Sequence, residues 1–154
     1  MSTTTVASHV TASTQFIQVG PATYAYRRFG AGPGLPLLFL QHFTGTLDNW
    51  DPTVTGPLAS GREVILFDNA GIGRSTGTMP ESVAGMATHT LAFLDGLGLE
   101  TCDVLGFSFG GNGRAAYGAG TTIGVQANDP RRDSSSRRRG DHAPAEAWPG
   151  PILQ

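Results

Sequence analysis

Apolar and polar positions follow two successive rhythms along this chain and then lose both. Two short β-prone pieces, Gln15–Val19 and Ala22–Arg28, are joined by Gly20-Pro21, a link that suggests a hairpin. Three compact apolar runs follow, "LLFLQ" (37–41), "EVILFD" (63–68) and "CDVLGFS" (102–108). Continuous rather than alternating apolar runs suit strands buried on both faces of a parallel sheet. The segments between them should then be crossover helices. Ahead of the third run, Val83, Met86, Ala87, Thr90, Leu91, Leu94 and Leu97 recur at three- and four-residue steps, which predicts one apolar helical stripe. Thr78 and Glu81 have capping-box spacing, and Gly98 stands where the helix would stop. "TLDNWDPTVTGPLAS" (46–60) is a weaker helix candidate, interrupted by Pro52 and Pro57. The order β-hairpin, β, α, β, α, β predicts an α/β fold, the opening half of a sheet with crossover helices.

The pattern fades after Gly111. "NGRAAYGAGTTIGVQ" (112–126) has a faint helical period interrupted by Gly113, Gly118 and Gly120, and no apolar strand-like run follows Ser108. Residues 127–154 are rich in Arg, Pro and Ser and carry no sustained period, so they bury too little apolar surface to offset their ordering entropy. The predicted organisation is a flexible Ser/Thr-rich start over residues 1–14, a partial α/β domain over 15–112, and a disordered or aberrant tail over 113–154. The partial sheet leaves the far edge of its third buried strand bare, an aggregation hazard and a reason to expect marginal folding. The chain has no lysine and is rich in Gly, Ala, Arg and Pro, which suggests GC-rich codons. A shift of reading frame near Gly111 would account for the lost period. The idea fails if no downstream frame of the gene encodes further strands and a histidine.

Composition narrows the partners. A formal net charge of −2 gives no electrostatic reason to expect nucleic acid or an acidic membrane. The "RRDSSSRRR" stretch lacks the aromatic stacking platform of a single-strand binder. The one cysteine, Cys102, cannot form an internal disulfide or a multi-thiolate zinc site, and reads as a small buried residue beside a strand. The start has neither a basic nor an apolar signal region, and no run of about 18 apolar residues exists, so a cytoplasmic chain without a membrane span is expected. No metal and no organic cofactor is implied, and the oligomeric state is left open.

The chemistry concentrates where the apolar runs end. Gly106-Phe107-Ser108-Phe109-Gly110 fits G-x-S-x-G directly after a predicted strand. The glycines permit a tight strand-to-helix turn that holds a serine hydroxyl above the sheet edge. The backbone N–H of Phe109 would then face the place where an oxyanion forms, reinforced by the helix N-terminus. The bland alternative makes Ser108 a turn residue or helix cap. The first run ends in "QHFTG" and the second in "DNAGIGRST". A phosphate loop would need a lysine, which the chain lacks, and a dinucleotide-binding fingerprint belongs after the first strand with a helix behind it, so the glycines of "FGAGPG" and "DNAGIG" do not read as either.

With these three strand ends in this order, residues 15–111 resemble the N-terminal half of the α/β-hydrolase superfamily, in particular small bacterial esterase and haloperoxidase-like members. In the family's His-Gly-x-Pro-Gly loop, Gln41 falls at the His, His42 at the first Gly, Phe43 at x, Thr44 at Pro and Gly45 at the last Gly. The resemblance makes the Phe43 N–H the second oxyanion donor. A histidine in place of glycine alters that loop's freedom. "DNAGIGRST" looks like the family's D-x-x-G-x-G-x-S segment, which makes Asp68 a loop-fixing carboxylate rather than a triad acid. The implied activity is serine hydrolysis of ester-like bonds through an acyl-enzyme, with Ser108 as nucleophile and the backbones of Phe43 and Phe109 as oxyanion donors. Haloalkane dehalogenases carry Asp where Ser108 stands.

The family order continues with an acid and then a histidine on later strands. The late candidates here are His142 with Asp129, Asp133 or Asp141, all within the tail; His42 reads as a loop histidine rather than a base. The expectation is a truncated hydrolase, inactive by itself. The rival reading is a non-catalytic remnant or binding module that retains the opening half of the fold.

Overall fold

The computed structural model describes residues 7–107 and 121–124. Its strands are β1 (Gln15–Val19), β2 (Ala22–Phe29), β3 (Leu37–Leu40), β4 (Val64–Phe67), β5 (Thr101–Gly106) and β6 (Thr121–Gly124). They form one sheet in the order β1-β2-β4-β3-β5-β6. The hairpin is present: Val19 pairs with Ala22, and Gly20 takes the left-handed φ of +58° that the tight link requires. β2 pairs antiparallel with β4, whereas β3 runs parallel to both β4 and β5. The crossovers are α1 (Pro52–Ala59), preceded by a 3-10 turn at Leu47–Asn49, and α2 (Val83–Gly96).

Both faces of the parallel strands are covered, as their uninterrupted apolar runs require. Leu38, Leu40, Ile65, Phe67, Cys102 and Val104 face α2, packing with Met86, Phe93 and Leu94. Leu37, Phe39, Val64 and Leu66 face the other way, with Leu47 and Trp50 of the first crossover. Successive strand residues thus feed opposite cores.

Four details differ from the sequence reading. Pro52 and Pro57 do not prevent α1: Pro52 occupies the first helical position, where no N–H is needed, and the Asp51 side chain caps the Thr53 N–H at 2.8 Å. The cap of α2 is Ser82, whose hydroxyl accepts from the Gly85 N–H at 3.0 Å, rather than the Thr78–Glu81 pair. The expected loose start meets a packed turn, Ser8 to Ala12, with His9 and Ala12 buried. Beyond Ser108, where no strand is expected, β6 pairs antiparallel with β5, Val104 opposite Thr121 and Thr101 opposite Gly124. The β-branched run Thr121, Thr122 and Ile123 carries strand propensity that a search for continuous apolar runs misses. The rest of the 113–154 tail lies outside the described residues.

Candidate active site

Because β3, β4 and β5 are parallel, their carboxyl ends share one edge of the sheet, and each ends in one of the segments singled out from the sequence. The β3–β5 register sets Leu40 opposite Gly106, and the Phe107 N–H extends the pairing to the Leu40 carbonyl at 2.9 Å. The loop that carries Phe43 and the residue just before Ser108 therefore leave the sheet from neighbouring strands at the same level.

The β3 loop is a closed turn. The Gly45 N–H donates to the His42 carbonyl at 2.9 Å, which places Phe43 at the turn's second position. Gln41 is buried, and its side chain folds back so that Oε1 accepts the His42 N–H at 3.0 Å. Gly45 is required by space: a Cβ there would collide with the Gln41 side chain and press on the His42 ring. His42 has thus not opened the turn; Gln41, at the position where the resembling family has His, holds its first amide. The Phe43 N–H donates to no acceptor among the described residues, and the Phe43 side chain is partly exposed.

Asp68, at the end of β4, is 1% exposed and braces this loop from below. Its Oδ1 accepts the Leu47 N–H at 2.7 Å and its Oδ2 the Arg74 N–H at 2.9 Å. Its carbonyl accepts the Ser75 hydroxyl at 2.8 Å, and that hydroxyl also accepts the Ala25 N–H at 2.9 Å. Gly73 (φ +56°) passes so close that any Cβ would strike the carboxylate. With both oxygens engaged by backbone amides, Asp68 fixes loops and is not arranged to orient a catalytic imidazole.

Phe107, 56% exposed, lies at the head of the next loop. Its ring meets His42 and Trp50 edge-on, with centroids 6.3 Å away in each case, and Trp50 in turn packs edge-on against Phe39 at 4.8 Å. This aromatic wall was not read from the sequence. Trp50 sits in a crossover whose period is broken by prolines, so no stripe pointed to it. The Trp50 Nε1–H is buried without a partner among the described residues.

Ser108 and Phe109 lie outside the described residues, as do His142, Asp129, Asp133 and Asp141. Of the three expected site residues the described structure includes one, Phe43, together with Phe107, which precedes Ser108 in sequence. Cys102 is fully buried, and that burial, with a smaller push from the Asp103 charge, raises its thiol pKa to about 11, so it is an inert core residue. Among the described residues no group of three or more His, Cys, Asp or Glu side chains could hold a metal ion, and no helix is long and apolar enough to cross a membrane.

The profile of the α/β hydrolase fold matches residues 36–124, more than half of the chain. The chain belongs to the α/β-hydrolase fold family. The match spans β3 to β6 and so includes the Phe43 turn, Asp68 and the Ser108 segment. An α/β-hydrolase fold protein from Chitinophaga pinensis is 53% identical with a TM-score of 0.64, over 66% of this chain and 37% of that one. A hydrolase from Pseudomonas aeruginosa is 28% identical with a TM-score of 0.55, over 62% and 37%. Among curated proteins, one named as a carbamate hydrolase, RutD, from Azorhizobium caulinodans is 37% identical over 60% of this chain and 34% of its own length. The acetyltransferase component of the acetoin cleaving system of Cupriavidus necator is 36% identical over 65% of this chain and 26% of its own. The chain thus spans about a quarter to a third of the curated relatives it matches.

Proposed function

We propose that this α/β-hydrolase chain carries the nucleophile half of a serine hydrolase acting on ester-like carbonyls. In this reading the Ser108 Oγ attacks the carbonyl carbon, and the backbone N–H groups of Phe43 and Phe109 hold the resulting oxyanion. Collapse of the tetrahedral intermediate expels the leaving alcohol, which takes up a proton, and leaves an acyl-serine. Water then attacks the acyl-serine, releasing the acid and returning the proton to Ser108. The observation that carries the reading is the Phe43 N–H, without an acceptor among the described residues and held in a braced turn at the level of the β5 end, two residues before Ser108 in sequence. The relatives named as carbamate hydrolases add carbamates to the acceptable carbonyls.

A general base for Ser108 is expected from sequence that follows the family match, where a full-length relative has further strands. The chain alone should therefore support an acylation event without sustained turnover. The rival reading is a non-catalytic remnant or binding module that keeps the fold's opening half. A fluorophosphonate probe separates the two. Labelling that maps to Ser108 and vanishes in Ser108→Ala supports the hydrolase corner; soluble, folded protein that takes up no probe supports the remnant.

A further inference from the structure

The start of the chain buries an imidazole that the proposed chemistry does not use. Ser8 to Ala12 make a tight turn in which the Ala12 N–H donates to the Ser8 carbonyl at 2.8 Å. The turn lowers His9 (4% exposed) and Ala12 onto the α1 side of the sheet. The His9 ring stacks on Phe29 of β2, centroids 5.8 Å apart and planes at 10°, and its Nδ1 shares a hydrogen bond with the Thr55 hydroxyl of α1 at 3.2 Å. Just beyond, the Thr14 hydroxyl accepts from Arg27 Nε at 3.1 Å and from Arg74 Nη1 at 3.3 Å. The segment is thereby pinned at His9, Ala12 and Thr14.

The charged groups facing His9 are Arg27 from β2 and Asp48 from the 3-10 turn, and these already pair with each other at 2.7 Å. Phe29 and Thr55, the other neighbours, carry no charge. A proton on His9 would add a second cation to a buried slot whose one carboxylate is taken. We propose that residues 7–14 form a strap that is docked at neutral pH and detaches when His9 is protonated. Ala7 and Ser8 of the strap line a hollow of about 250 Å³ together with Phe29, Gly30, Gly56 and Ala59, so detachment would remove part of its lining.

The sign follows from the environment. Burial first and the Arg27 charge second hold the docked imidazole below its ordinary 6.5, against weaker opposite pulls from the Leu47 backbone and Asp48. Docking is therefore complete above 6.5 and weakens as pH falls below that value, by up to about tenfold in the docking equilibrium per pH unit.

The test is amide exchange of the full chain at pH 7.5 and 5.5, followed by NMR and expressed as protection factors so that the intrinsic slowing of exchange in acid is removed. Ala12 protection should fall at pH 5.5, by up to about tenfold, while Phe39 in β3 holds. His9→Phe, which keeps the stack on Phe29 and cannot titrate, should give the same Ala12 protection at both pH values. His9→Gln should do likewise if the larger ring fails to seat. If both variants are unprotected throughout, the wild-type His9 ring signals decide: a midpoint below 6.5 that tracks Ala12 exchange supports the strap, and one that does not overturns it. PH-independent Ala12 protection in the wild type, or an acid loss that persists in both variants, also overturns it.

Discussion

Asp68 illustrates how much a single side chain organises. One carboxylate ties the crossover after β3 to the glycine loop after β4, through two charge-assisted backbone bonds. Asp68→Ala strands both amides, and urea unfolding should show a loss of about 3 kcal/mol. Gly45→Ala should cost roughly 1–3 kcal/mol by overpacking against Gln41, although no positive φ is at stake. Cys102, with its thiol raised to about 11, should resist iodoacetamide at pH 8 in the native chain and react once urea exposes it. The burial of Cys102 was legible because a small residue in an apolar run has few places to go, and the loop-fixing role of Asp68 because its segment resembles the family's glycine loop. Gln41 was not: that its amide folds back on the next residue depends on how tightly Gly45 closes the turn.

At the scale of elements, α2 shows what a periodic stripe conveys and what it misses. The stripe predicts a helix, and one forms over Val83–Gly96, closed by Gly98 at φ +69° with the Leu99 N–H reaching back to the Leu94 carbonyl at 3.1 Å. The face is rotated from the expected one. Val83 and Leu91 are each 39% exposed, whereas Phe93, absent from the stripe, is fully buried. Phe93 stacks on Phe67 at 4.6 Å and lies against Tyr24 and Tyr26, so the aromatic residues of β2 and β4 choose the face. Phe93→Ala should cost about 3–5 kcal/mol and Leu91→Ala under about 1 kcal/mol in the same denaturation experiment. Equal costs would contradict the packing. The buried strands were legible because nothing but burial on both faces explains "LLFL" and "VILF". β6 was not, since its threonines do not read as a core strand.

At the scale of the molecule, sheet order rather than any one motif assembles the candidate site. α2 carries the chain from β4 past β3, so that β5 lies on the far side and the β3 loop falls between the other two. The fold's opening half was readable because three apolar runs each ended in a recognisable loop; the wall of His42, Trp50 and Phe107 was not, because it is built from residues far apart in sequence. With a base expected only from later strands, p-nitrophenyl acetate hydrolysis by this chain should match that of its Ser108→Ala variant. Covalent trapping is then the informative readout, because it needs a single acylation event at Ser108 and no turnover.

The central proposal is that Ser108 is the nucleophile and the Phe43 amide one of its oxyanion donors. Mass spectrometry of the folded chain after fluorophosphonate treatment tests it directly. The account predicts one adduct, on Ser108, slow to form and absent from Ser108→Ala. Soluble, folded protein with no adduct at Ser108, or label spread equally over Ser60, Ser75 and Ser82, would contradict it.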